Sequence, residues 1–176
     1  EDADGQQEEY RRRWDPFLEK VGGMLPPGIL EVGLRFRDNV ADVKRQLGGP
    51  PRTIEHGDFR VDNLIFGTSE IDAPLTVIDW QGVVYGRGVV DVAYLVEFGM
   101  NPEQRRATEM ALLKSYHATL LECGVSDYDF ERCVHDYRLS ILNHLDRLVG
   151  ATVRLDFLSS ERGRMFVKTL IERFDS

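Results

Sequence analysis

The apolar spacing of this chain changes period in one place, and that place limits the fold more than any other feature. Between Asn63 and Trp80, two short runs, "NLIFG" and "LTVIDW", carry the β-branched Ile65, Thr76, Val77 and Ile78, with "TSEIDAP" between them. Such a pair predicts a β-hairpin with a loop of several residues. Elsewhere the spacing is helical. Tyr10, Trp14, Phe17, Leu18 and Val21 predict a helix from Glu8 to Met24, broken by "GGMLPPG". Leu30, Leu34, Val40, Val43 and Leu47 predict a second helix from Leu30 to Leu47, ended by "GGPP". After "GVVYGRG" the pattern predicts helices over Val90–Phe98, Pro102–Cys123, Ser126–Val149 and Ser159–Phe174. Pro102 suits a helix start, and Ser126 or Asp127 would cap the one that follows. The expected fold is mainly α with a small β-hairpin insertion, forming one unit over residues 1–176. Residues 1–52 are leading helices, 53–81 a polar loop and hairpin, and 82–176 a helical remainder. Strand and helix do not alternate, which argues against a doubly wound sheet.

The polar loop is "TIEHGDFRVDNLIF", Thr53 to Phe66. Asp58 and Asn63 stand five residues apart, Asn63 opens the first strand, and Asp79 closes the second. A hairpin brings its two ends together, so Asn63 and Asp79 are expected to converge. An amide oxygen and a carboxylate are hard ligands that suit Mg²⁺, with water and phosphate completing the shell. Asp58, one loop away, would accept a proton. These are the parts phosphoryl transfer needs. Aspartate, asparagine and glycine also populate loops for turn reasons alone, so "HGD" by itself says little.

The larger pattern says more. "HGDFRVDN", then "VIDWQ", then "GRGVVDVAYL" resembles the catalytic core of the aminoglycoside phosphotransferase and choline kinase group, small-molecule kinases with a protein-kinase-like fold. Every position of that pattern is filled. The resemblance implies an ATP-dependent phosphotransferase acting on a hydroxyl of a small molecule, with Mg²⁺ and ATP as cofactors and GTP not excluded. It makes Asp58 the catalytic base and Asn63 and Asp79 the metal and nucleotide ligands. His56 and Asp91 would support the loop. Arg60 stands near the place where protein kinases carry a lysine, so it would offset charge in the transition state, unless it simply faces solvent.

Kinases of this fold also carry a small, mostly β lobe with a nucleotide-covering loop and a lysine for the phosphates. The 57 residues before Asp58 read as helices instead. The resemblance is therefore to the C-terminal lobe alone, and the missing N-terminal lobe is an expected partner. In this group the acceptor side is usually built from helices after the hairpin. Asp127, Asp129 and Asp136 are the acidic candidates there, with Tyr128, Phe130 and Tyr137 as aromatic ones.

A net charge of −8 argues against nucleic acid as a partner. No run approaches the roughly 18 apolar residues of a membrane span. The acidic start "EDADGQQEEYRRRW" is no signal peptide. Cys123 and Cys133 form no CxxC pair and read as reduced thiols, so a cytoplasmic location is expected. Two alternatives remain open at this point. One is a kinase-like lobe kept only for binding. The other is an HD-type metal-dependent phosphohydrolase built on His135-Asp136, with His117 and Asp146 or Asp156 completing the set.

Overall fold

A computed structural model describes residues 2–67 and 74–174. Helix α1 spans Ala3–Val21 and begins earlier than the apolar spacing predicts, because the Asp2 side chain accepts the Gly5 N–H at 2.9 Å and caps it. Tyr10, Trp14, Phe17 and Val21 fall on one face and are buried. The single helix expected over Leu30–Leu47 is two, α2 (Pro27–Phe36) and α3 (Val40–Gly48). Asn39 makes the break: its side-chain amide donates to the Arg35 carbonyl at 2.8 Å and stops α2. The restart lets Val40, Val43 and Leu47 point inward.

Among the described residues, four short strands lie between Thr53 and Gly86. β1 (Thr53–Glu55) pairs antiparallel with β4 (Val84–Gly86), and β2 (Leu64–Phe66) with β3 (Leu75–Val77). The second pair is the expected hairpin. Most of its connecting loop, Thr68–Ala73, lies outside the described residues. The β1–β4 ribbon was not legible, since three residues per strand are too few to show a period.

Four helices complete the chain: α4 (Val89–Gly99), α5 (Pro102–Glu122), α6 (Phe130–Arg154) and α7 (Glu161–Phe174). Asn101 and Gln104 form a reciprocal capping box on α5. The cap of α6 is Asp129, whose carboxylate accepts the Arg132 N–H at 2.7 Å, rather than Ser126 or Asp127. The apolar core has two parts. One gathers α1, α2, α3 and α7 around Tyr10, Trp14, Phe17 and Phe36; the other joins α4 to α5 around Val89, Ala93, Val96 and Leu113. Helix α6 enters both, with Leu145, Leu148 and Val149 in the first and Cys133 and Tyr137 in the second. In the first part Tyr10 meets Phe36 edge-on, ring centroids 5.1 Å apart, a favourable aromatic geometry. The result is mainly α, in the manner of a kinase-like C-terminal lobe. Both cysteines are free thiols. Among the described residues no helix is long and apolar enough to cross a membrane.

Candidate active site

The segment after β1 is held by α4. Asp91, in the first turn of α4, accepts the backbone N–H of His56 at 2.6 Å and of Gly57 at 3.0 Å, one on each carboxylate oxygen. His56 is buried and bonded through both ring nitrogens. Its Nδ1 accepts the Asp58 N–H at 3.2 Å, so its Nε2–H donates to the Ile78 carbonyl at 2.8 Å. That second bond ties the loop to the far strand of the hairpin. The ring also lies 4.8 Å from that of Trp80.

Gly57 has φ of +79°, and a Cβ built there would stand 2.2 Å from the Gly82 carbonyl oxygen. Both the backbone angle and the close approach demand glycine. Gly57→Ala is expected to destabilise the protein by about 1–3 kcal/mol. Chemical denaturation checks this, with a lower midpoint at unchanged slope as the expected result.

Asp58 is half-buried. The Asn63 side-chain amide donates to its backbone carbonyl at 2.9 Å and sits 3.3 Å from its carboxylate. Asn63 in turn pairs across the hairpin: its carbonyl accepts the Ile78 N–H at 3.0 Å, one step beyond the Leu64–Val77 pair. Asp79 is the next residue. It is exposed, and with φ 65° and ψ 54° it is the one non-glycine residue in the left-handed region among the described residues. Aspartate tolerates that region better than most side chains. Such a conformation costs free energy and is kept where the surroundings enforce it, often at functional sites.

Tyr94, one turn after Asp91 on α4, stands beside the Asp58 carboxylate; burial first, and then that carboxylate, push its phenol up to about 12. Arg60 engages Asp62 through Nε at 2.8 Å and through a second guanidinium nitrogen. That bond, with a smaller contribution from Asp58, raises its pKa further.

Two cavities flank the loop. One, of about 230 Å³, has Lys44, Glu55, Tyr85 and Asp91 in its walls. The other, of about 410 Å³, is walled by Phe98, Leu148, Phe157, Phe166 and Leu170, with Arg60 also lining it. Tyr94 and Arg147 line both.

None of the acidic residues expected on the acceptor side lines either cavity. Asp136 is buried against Arg87, Nε to Oδ2 2.9 Å, and accepts the Tyr128 hydroxyl at 3.0 Å, so its charge is satisfied inside the protein. Asp129 is used as a helix cap, and Asp127 is exposed in the turn before it. The histidines are equally dispersed. His117 bonds the Tyr128 carbonyl at 2.7 Å, and His135 the Gln46 side chain at 3.2 Å. His144 lies 2.6 Å from Glu97; burial lowers the pKa of His144 and raises that of Glu97. Among the described residues no three His, Cys, Asp or Glu side chains are grouped to share a metal ion, so the HD-type ligand set does not assemble.

Sequence reasoning missed Tyr94 and Arg147. Tyr94 could have been found from its three-residue spacing after Asp91 on a helix. Arg147 had no such signal, standing 90 residues from the Gly57 carbonyl it bonds.

The family model of the ecdysteroid kinase-like family matches residues 10–125, more than half of the chain and all of the loop and hairpin just described. The chain belongs to the ecdysteroid kinase-like family. This is a small-molecule kinase family related to the aminoglycoside phosphotransferase and choline kinase group. Short stretches also resemble larger proteins. Over 46 residues the chain is 46% identical to the probable acyl-CoA dehydrogenase IBR3 of Arabidopsis thaliana, covering 26% of this chain and 6% of that protein. Over 43 residues it is 44% identical to acyl-CoA dehydrogenase family member 11 of Gallus gallus, covering 24% and 5%. The matched part thus spans only a small fraction of these relatives' length. No solved structure matches the chain.

Proposed function

We propose that this member of the ecdysteroid kinase-like family is the helical lobe of an Mg²⁺-dependent ATP phosphotransferase acting on a hydroxyl of a small molecule. The observation that carries the reading is the register of the hairpin. It sets Asn63 opposite Ile78, one residue from Asp79, while the Asn63 amide nitrogen is bound to Asp58. With that nitrogen occupied, the amide oxygen is the end that faces a cation. One neutral oxygen and one exposed carboxylate suit Mg²⁺, which takes few protein ligands and leaves its other positions to water and phosphate. Asn63 and Asp79 would hold the ion. When bound, it neutralises charge on the phosphates.

Asp58 would accept the acceptor's hydroxyl proton as the oxygen attacks the terminal phosphate. Asn63 hydrogen-bonds its carboxylate and Tyr94 stands beside it, which would restrict its rotation. His56 and Asp91 fix the backbone on which it stands. Arg60 would act at the mouth of the larger cavity, bound to Asp62, rather than on the transferred phosphate.

The larger cavity would take the acceptor. Its volume lies within the usual range for ligand pockets. Its walls are mainly aromatic and aliphatic, with Arg60, Arg147 and Arg173 among them, which favours an apolar body over a polycation. Exposed Ile65, Phe66, Leu75 and Ile78 on the hairpin would pack against a small nucleotide-covering lobe outside this chain. The reaction would take place in the cytoplasm, where ATP and free thiols coexist.

Calorimetric titration of the full-length protein with ATP tests this, with and without Mg²⁺. Binding is expected to need the metal and to weaken by about tenfold or more, roughly 1.4 kcal/mol, in Asp79→Asn. Metal-independent binding, or binding indifferent to the substitution, would remove Asp79 from the site.

A further inference from the structure

Arg147 belongs to α6, far along the chain from the polar loop, yet it touches that loop at two points. Its guanidinium donates to the Gly57 carbonyl at 2.6 Å. It also lies over the Tyr94 ring, 5.3 Å from the centroid. The first contact restrains the peptide linking Gly57 to Asp58. The second holds the ring that neighbours the Asp58 carboxylate.

Two further rings pack against Tyr94. His144 stands perpendicular to it, centroids 5.1 Å apart, and is itself bonded to Glu97; Phe98 lies 4.7 Å away. Arg147 is an exposed residue that borders both cavities, so it stands where the acceptor and the loop adjoin.

We propose that Arg147 is a positioning residue for the phosphotransfer reaction: it clamps the Gly57 carbonyl and the Tyr94 ring together and so aims Asp58. The inference rests on the phosphotransferase reading and adds to it a group from α6. The chemistry favours arginine. A planar guanidinium can stack on a ring with its face while donating from its edge. An ammonium at the same place could make one of these contacts at a time. Asp91 fixes the two preceding peptides from the N–H side, and the Gly57–Asp58 peptide itself is held on its N–H edge by His56 and on its carbonyl edge by Arg147.

The test uses the full-length protein, Mg²⁺ and ATP, with water as acceptor and release of inorganic phosphate as the readout. Arg147→Ala is expected to lower kcat by about 10²-fold, the scale of a misplaced catalytic group, with KM for ATP changed by less than about threefold. Arg147→Lys should restore little, and added methylguanidinium should restore part of kcat in Arg147→Ala. Tyr94→Phe keeps the ring under the guanidinium and should lose about tenfold. The double variant should lose less than the product of the two single losses, because both act on one carboxylate.

Backbone amide exchange over residues 53–66 gives a second reading that needs no turnover. It should quicken in Arg147→Ala and stay unchanged in Tyr94→Phe. Unchanged exchange together with unchanged kcat, or full rescue by lysine, overturns the proposal. Phosphate release indifferent to Asp58→Asn would overturn the phosphotransferase reading instead, and amide exchange would still decide whether Arg147 holds the loop.

Discussion

Replacing Asp58 with asparagine is expected to cut phosphoryl transfer by about 10²–10⁴-fold while MgATP binding changes by less than about threefold. The two side chains have the same shape, so the loop keeps its bonds. The His56 ring, Asp91 and Arg147 all hold backbone atoms at this turn, which the substitution does not touch. What disappears is the capacity to take a proton. An amide cannot accept one from the acceptor's hydroxyl, and its NH₂ group repels the donors of Asn63 and Tyr94 if it turns toward them. Steady-state phosphate release beside calorimetric ATP titration separates the two quantities. Turnover at the parent rate would sink the assignment of Asp58 as base. Loss of both turnover and binding would point to a collapsed loop. Binding kept while the parent itself shows no turnover would favour a lobe retained for ligand binding alone.

How much of this was legible in the sequence depended on how local each signal was. The hairpin and the long helices were, because several residues in a row repeat one period. The approach of the two hairpin ends was legible for a related reason: a hairpin is a local structure whose ends must meet, and the register pairs Asn63 with Ile78. The break between α2 and α3 was hidden because Asn39 interrupts the pattern without a proline or glycine, acting through a side-chain bond to Arg35. The β1–β4 ribbon joins segments about thirty residues apart and is too short to show alternation.

The misread residues are those whose meaning lies in distant partners. Asp136 looked like an acceptor-side carboxylate because it stands among acidic and aromatic residues on a helix. Whether such a residue points to a cleft or to a buried arginine fifty positions earlier is decided by packing, which no spacing rule reports. Arg147 was invisible for the same reason. In both cases the residue type was ordinary and the fold supplied the role.

The buried charge on Asp136 sets the largest expected stability effect. Arg87, between β4 and α4, is 3% exposed, and its guanidinium serves three partners at once. It ion-pairs with Asp136 at 2.9 Å, and donates to the Pro51 carbonyl at 2.8 Å and the Gln46 carbonyl at 3.0 Å. Tyr128 adds a hydroxyl bond to Asp136 at 3.0 Å; burial first, and then that carboxylate, hold the phenol far above its ordinary pKa, so it stays a donor. Arg87→Ala would leave an unpaired buried carboxylate and remove the donors to both carbonyls. Breaking such a pair from one side costs about 3–5 kcal/mol. For a chain of this size that corresponds to a fall of roughly 6–20 °C in Tm, measurable by calorimetry. Removing both charges, as in Arg87→Met with Asp136→Leu, should recover much of the loss, because no charge then lies buried without a partner. The same contacts tie the end of α3 and the start of β1 to α6, and β1 leads directly into His56. Arg87→Ala should therefore also quicken amide exchange over residues 53–58, before any global unfolding. A Tm within about 2 °C of the parent, with that exchange unchanged, would mean that the ion pair anchors neither the fold nor the loop, and that the packing of α6 holds the ribbon by itself.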